Sequence, residues 1–173
     1  MNDQNSDQPP FPPEEIGCFL RLCAGEWMSL RSKFALGAVS TSDEIETDID
    51  EDGDTWHSSE RCELLVTFLE PEAPGGPGGL RVGPKDGIAQ QLHFEAEGGF
   101  RSGNQAGRWQ LWPDGSLELL ITADGGEVRE RIWFTKPNLR LRSTMETDAN
   151  GSPGRASFSS EIRRVSRPSV PAS

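Results

Sequence analysis

From Trp27 onward apolar and polar residues alternate with a period of two, and no other feature of the chain restricts its fold as tightly. In the run 27–36 (WMSLRSKFAL), Met28, Leu30, Phe34 and Leu36 fall on one face, with Ser29, Arg31 and Lys33 on the other. Further strand-like runs occupy 44–50, 60–69, 89–97, 107–112, 116–122, 128–135, 139–147 and 156–165. Turn-forming groups stand between them: Asp52-Gly53, Pro113-Asp114-Gly115, Asp124-Gly125-Gly126, Pro137-Asn138 and Asn150-Gly151. Many short strands with hairpin turns and no helices between them predict an antiparallel sheet. Closing such a sheet into a barrel removes its sticky edges and leaves room for one small ligand. The segment 71–87 (PEAPGGPGGLRVGPKDG) reads as a long loop, because proline and glycine weaken a central strand.

Before the strands, Ile16, Phe19, Leu20 and Cys23 follow helical spacing, Glu14 and Glu15 suit the positive end of a helix, and Gly25 stops it. The expected architecture is therefore all-β: an antiparallel barrel with one N-terminal α-helix. Residues 1–12 read as a loose arm, 13–166 as a single barrel domain, and 167–173 as a frayed tail. At 173 residues the chain is the size of one ordinary domain.

The net charge of −11 argues against a nucleic-acid binder or a ligand of anionic membranes, since both need basic surface. No apolar run is long enough to span a bilayer, and the polar, proline-rich start lacks the layout of a secretory signal, so a cytoplasmic location is expected. Cys18, Cys23 and Cys62 have no C-x-x-C spacing and read as reduced thiols rather than as a disulfide framework or zinc site. Asp48, Asp50 and Asp52-Gly53 imitate the start of a calcium loop, but Ser59 stands where a bidentate glutamate is required, so an acidic turn is the better reading. No metal site is expected. The segment 71–87 also lacks the Gly-Lys-Ser/Thr ending of a phosphate loop.

Charge becomes informative near the C-terminus. After the Pro137-Asn138 turn, Arg140 and Arg142 share one face and Leu139 and Leu141 the other. Glu130, Ile132 and Phe134 share a face of the preceding strand, and Glu161 and Arg163 share a face opposite Phe158 and Ile162. Periodicity leaves two arrangements open. Leucines inside and arginines in water is one; the other is a cavity lined by arginines with a carboxylate opposite, which would suit an anionic ligand with carboxylates.

The segments GEWMSLRS (25–32), ERIWFTKPNLRLR (130–142) and ASFSSEIR (156–163) resemble the S/U-type phycobiliprotein lyases, the CpcS/CpeS family, and occur in that family's order. The W-F-x-x-P-N-L-R-L-R block carries most of the likeness, the stretch from about Asp43 to Gly107 matches poorly, and Lys33-Phe34 stands where the family has a histidine. The resemblance implies a lipocalin-like barrel that binds a linear tetrapyrrole (phycocyanobilin, phycoerythrobilin or a relative) without covalent linkage and with no metal. It further implies a chromophore lyase that directs a thioether bond between that bilin and a cysteine of a phycobiliprotein subunit. By motif match, Arg140 and Arg142 are the candidates for the bilin propionates. Glu130 is the candidate for holding the bilin protonated, and Glu161 the second candidate for that role. Arg31 is a candidate either for clamping a propionate or for pairing with a carboxylate. Trp109, Trp112 and Trp133 suit either packing on the tetrapyrrole plane or the barrel wall. The competing functions are a non-catalytic partner subunit in a heterodimer with a second lyase, a general lipid or small-carboxylate carrier, and a purely structural barrel. A homodimer is the other assembly the resemblance allows.

Overall fold

The computed structural model describes residues 9–36 and 57–165. Helix α1 (Ile16–Cys23) precedes ten strands: β1 (Gly25–Ala35), β2 (His57–Leu69), β3 (Gly78–Pro84), β4 (Gln90–Phe94), β5 (Gly99–Ser102), β6 (Gln105–Leu111), β7 (Leu117–Ala123), β8 (Gly126–Lys136), β9 (Leu139–Thr147) and β10 (Pro153–Arg163). Each strand pairs antiparallel with its sequence neighbour, and β1 pairs with both β2 and β10, so the sheet closes into a barrel without a free edge. The expected 44–50 strand, the Asp52-Gly53 turn, the calcium-loop mimic at Asp48, Asp50 and Asp52, and the tail 167–173 lie outside the described residues. So do residues 1–8 of the expected arm. Its end at Pro12 is seated on the barrel, where a Cβ on Gly115 would fall 2.5 Å from the proline ring.

Turn chemistry sets the register. Asp124 and Gly125 both take positive φ, 51° and 79°, and join Ala123 to Gly126 in a two-residue hairpin whose twist matches its strands. Pro137-Asn138 joins Lys136 to Leu139 between β8 and β9, where an irregularity between Phe134 and Lys136 shifts the register.

The segment 71–87 corrects the loop expectation, because its second half is strand β3, paired with β2 and β4. Here glycine permits the strand instead of breaking it: a Cβ on Gly79 would lie 2.4 Å from the Leu92 carbonyl oxygen. The expected run 89–97 is also cut short. It ends at Phe94, and a tight return leads into β5, a strand too short for its alternation to stand out.

Helix α1 lies across one end of the barrel, with Phe19, Leu20 and Cys23 buried. Phe19 meets Phe134 edge-on with ring centroids 5.2 Å apart, and Trp27 packs on the same ring at 6.1 Å. Val66, Leu80, Phe94, Phe100, Leu117 and Ile132 complete an apolar plug at this end. Burial pushes the Cys23 thiol up, which suits a packing role. Gly25, at φ 140°, makes the corner from helix to strand, and Arg163 occupies the space a Cβ would need there. The Arg163 guanidinium donates to the carbonyls of Leu22 and Ala24, tying the end of the helix to β10.

Candidate functional site

Beyond the plug the lumen turns polar. On β1 the inward side chains run Trp27, Ser29, Arg31; on β10 they run Glu161, Ser159, Ser157, and the register sets Ser29 opposite Glu161 and Arg31 opposite Ser159. On β9 Arg140, Arg142 and Thr144 point in, and on β8 Phe134, Ile132 and Glu130. Of the two arrangements the periodicity allowed, the protein adopts arginines inside. Phe158 and Ile162 sit on the outer surface, 42% and 56% exposed, while Arg140 and Glu161 are 1% and 0% exposed.

A buried arginine, a second one mostly buried and a buried glutamate would be ruinous apart, and the barrel keeps them together. Arg140 Nε donates to Glu161 Oε2 at 2.5 Å, and Arg142 Nη2 lies 3.7 Å from the same oxygen. Arg142 Nη1 reaches Glu130 Oε1 at 3.2 Å, so charge alternates along a ladder from Arg140 through Glu161 and Arg142 to Glu130. The Ser29 hydroxyl donates to Glu161 Oε1 at 3.5 Å. The Arg140 guanidinium also lies over the Trp27 ring, 4.4 Å from its centroid, a cation–π contact worth about 0.5–2 kcal/mol. Trp27 is itself oriented by its indole N–H, which donates to the Cys23 carbonyl.

Burial alone would raise the Glu161 pKa, but Arg142 and then Arg140 outweigh it and hold the carboxyl below the ordinary range. Burial would likewise favour loss of the Arg142 proton, yet Glu130 and then Glu161 push its pKa up. A carboxyl whose pKa is lower in the folded state stabilises the fold above its unfolded pKa, and that contribution is lost as pH falls through the folded value. The urea midpoint is therefore expected to fall as pH drops below about 4.3, the ordinary glutamate value. The Glu161→Gln variant should show a shallower fall over the same range.

The ladder ends at a cavity of about 460 Å³ at the end of the barrel away from the helix, a size within the roughly 300–1,000 Å³ of small-molecule sites. Arg31, Lys33, Glu130, Thr144, Glu146 and Arg155 line it. Arg31 is steadied by Ser159, to which its Nε donates at 3.2 Å. A single carboxylate, Glu60, serves both β1 cations, with its Oε1 2.9 Å from Lys33 Nζ and 4.0 Å from Arg31 Nη1.

Residues 96–164 match the family model described as CpeS-like protein. Chromophore lyase CpcS/CpeS 1 of Paulinella chromatophora is 42% identical over 159 residues, covering 91% of this chain and 92% of that one. The chain belongs to the CpcS/CpeS chromophore lyase family. Chromophore lyase CpcS/CpeS 1 of Trichodesmium erythraeum is 38% identical over 80 residues, 46% of this chain and 45% of that one. The solved S-type phycobiliprotein lyase CPES from Guillardia theta shares the fold, with a TM-score of 0.66 at 20% identity, covering 92% of this chain and 100% of that chain.

Within this CpcS/CpeS chain, the candidates chosen by motif separate by depth. Glu130 and Arg31 face the cavity. Arg142 stands just behind Glu130, and Arg140 and Glu161 form the sealed base beneath it. Arg140, named by motif for a propionate, is shut in between Trp27 and Glu161 and lines no part of the cavity.

Trp133 takes the barrel-wall position, one of the two readings open to it. It alternates with the inward Ile132 and Phe134, so it points outward, packing on Phe158 at 6.3 Å. Trp109 faces inward but packs against the apolar core, with its indole N–H donating to the Glu95 carbonyl. Trp112 stands over the Pro12–Pro13 segment with Arg131 5.9 Å from its ring, away from the site.

Sequence reasoning missed Glu60, Lys33, Ser159 and Arg155. Glu60 had a signal, because period two puts it on the same face of β2 as Leu64, Val66 and Phe68. That it meets Arg31 depends on the β1–β2 register, which no local pattern fixes. Among the described residues no helix is long and apolar enough to cross a membrane.

Proposed function

We propose that the cavity binds a linear tetrapyrrole, phycocyanobilin or a relative such as phycoerythrobilin, and that the chain promotes its thioether attachment to a cysteine of a phycobiliprotein subunit. The observation that carries this reading is the shared wall: one carboxylate, Glu130, faces the same 460 Å³ space as Arg31, Lys33 and Arg155. A bilin needs both kinds of group. Its propionates call for cations, and its pyrrole nitrogens, when protonated, call for an anion. Arg142 fixes the position of Glu130, and the buried Arg140–Glu161 pair fixes Arg142.

Protonation makes the ring-A side chain of the bilin more electrophilic. The acceptor thiol then adds across the ring-A double bond: a sulfur–carbon bond forms, and the thiol proton is taken up by the bilin, so the step needs no oxidant. The nucleophile belongs to the acceptor, and no cysteine of this chain is assigned a role. Its three thiols are unpaired, in keeping with a reducing, cytoplasmic setting.

The test is to incubate the pure chain with phycocyanobilin and an apo-phycobiliprotein subunit, then read zinc-enhanced fluorescence of the denatured acceptor band. A band is expected. Bilin binding without a band would favour a partner subunit that needs a second lyase, and no binding would favour another carboxylate ligand. Arg31→Ala should weaken phycocyanobilin binding by about tenfold or more, as expected for loss of a hydrogen bond to a charged group. The dimethyl ester of the same bilin should bind both proteins alike in a spectroscopic titration.

A further inference from the structure

We propose that Glu60 is an internal stand-in for a ligand carboxylate and thereby sets how strongly the cavity prefers a carboxylate ligand over its neutral ester. This rests on the tetrapyrrole reading of the cavity and adds a specificity-determining residue to it. Arg31 and Lys33 are two residues apart on β1, so both point to the same side of the sheet and both line the cavity. Strand pairing puts Glu60 directly opposite Arg31 on β2. One of its oxygens, Oε1, lies 2.9 Å from Lys33 Nζ and 4.0 Å from Arg31 Nη1.

The two cations are held differently. Arg31 is also anchored through its Nε to Ser159, at 3.2 Å, so its outer nitrogens are aimed while its stem is fixed. Glu60 is 45% exposed and Lys33 50%, which leaves both side chains free to swing toward water. A carboxylate entering the cavity meets cations that already face Glu60, paired closely with Lys33 and more loosely with Arg31, and must compete with it to fork onto Arg31. The exchange lowers affinity for any acid by the strength of a half-exposed ion pair, and leaves an uncharged ester unaffected. Glu130 is not in this position, because its partner is Arg142 on β9, three strands around the barrel from β2.

The test is a titration of the full-length wild type and the Glu60→Gln variant with phycocyanobilin and with its dimethyl ester, followed by visible absorption. Glutamine keeps the size of the side chain and removes the competing charge at a half-exposed position, so the barrel is unaffected. The expected result is about threefold or more tighter binding of the free acid by the variant, an order typical of exposed ion pairs, with ester binding unchanged. An unchanged acid-to-ester preference would overturn the proposal, and weaker acid binding would show that Glu60 supports the site. If the wild type binds neither compound, the tetrapyrrole reading itself fails, and this inference with it. If the wild type binds both and only the preference fails to move, the tetrapyrrole reading stands and Glu60 alone loses its role.

Discussion

Glu161→Ala is expected to destabilise the barrel by about 3–5 kcal/mol, the ordinary consequence of removing one partner of a buried ion pair. The carboxylate is fully buried, and Arg140, which it accepts from at 2.5 Å, is 1% exposed. Alanine would leave that guanidinium with the Trp27 ring but without a counter-charge, and would take from Arg142 one of its two carboxylates. For a domain of this length the loss corresponds to a melting temperature lower by about 6–20 °C. The double variant Arg140→Met with Glu161→Leu should recover much of that loss, since a well-packed apolar pair often replaces a buried ion pair at little cost. Equal instability of the single and double variants would show that the ladder itself, rather than relief of one stranded charge, maintains the fold.

Glu130→Gln is expected to have the opposite profile, with little loss of stability and a large loss of function. Glu130 is a quarter exposed at the cavity wall, and Arg142 keeps Glu161 at 3.7 Å when Glu130 is neutralised. Bilin binding should therefore persist through the wall cations. Attachment to the acceptor should slow by about 10²–10⁴-fold, the range for losing a positioned acid–base group. A thioether-forming rate unchanged in the variant would remove Glu130 from the chemistry and reduce the cavity to a holding site.

These two residues also show what a one-dimensional pattern can and cannot carry. Strand β9 was legible in full as 139–147, because strict Leu-Arg alternation begins directly after a Pro-Asn turn. The same alternation is symmetric between its two faces, so it could not tell whether Arg140 and Arg142 or Leu139 and Leu141 look inward. The answer lies in residues far away in sequence: Glu161 on β10 and Glu130 on β8 bring compensating charge to the arginine side, and Trp27 brings an aromatic face. Strand β3 was hidden for a different reason. Glycine and proline ordinarily weaken strands, but the barrel wall brings the Leu92 carbonyl so close to Gly79 that no larger residue would fit. Trp133 was left between two readings because its face depends on its neighbours: it alternates with the inward Ile132 and Phe134 and so belongs to the outer wall. Glu60 went unassigned because its meaning comes only from the strand opposite.

A carboxylate held by Arg142 at the wall of the proposed bilin cavity is the centre of this mechanism, and absorption spectroscopy reports on that arrangement directly. The decisive measurement mixes phycocyanobilin at neutral pH with the wild type and, separately, with Glu130→Gln, and records the visible spectrum of each. A strong long-wavelength band of protonated bilin is expected with the wild type, and its loss or blue shift with the variant. A wild-type spectrum that matches free bilin, or one that the variant reproduces unchanged, would contradict this mechanism.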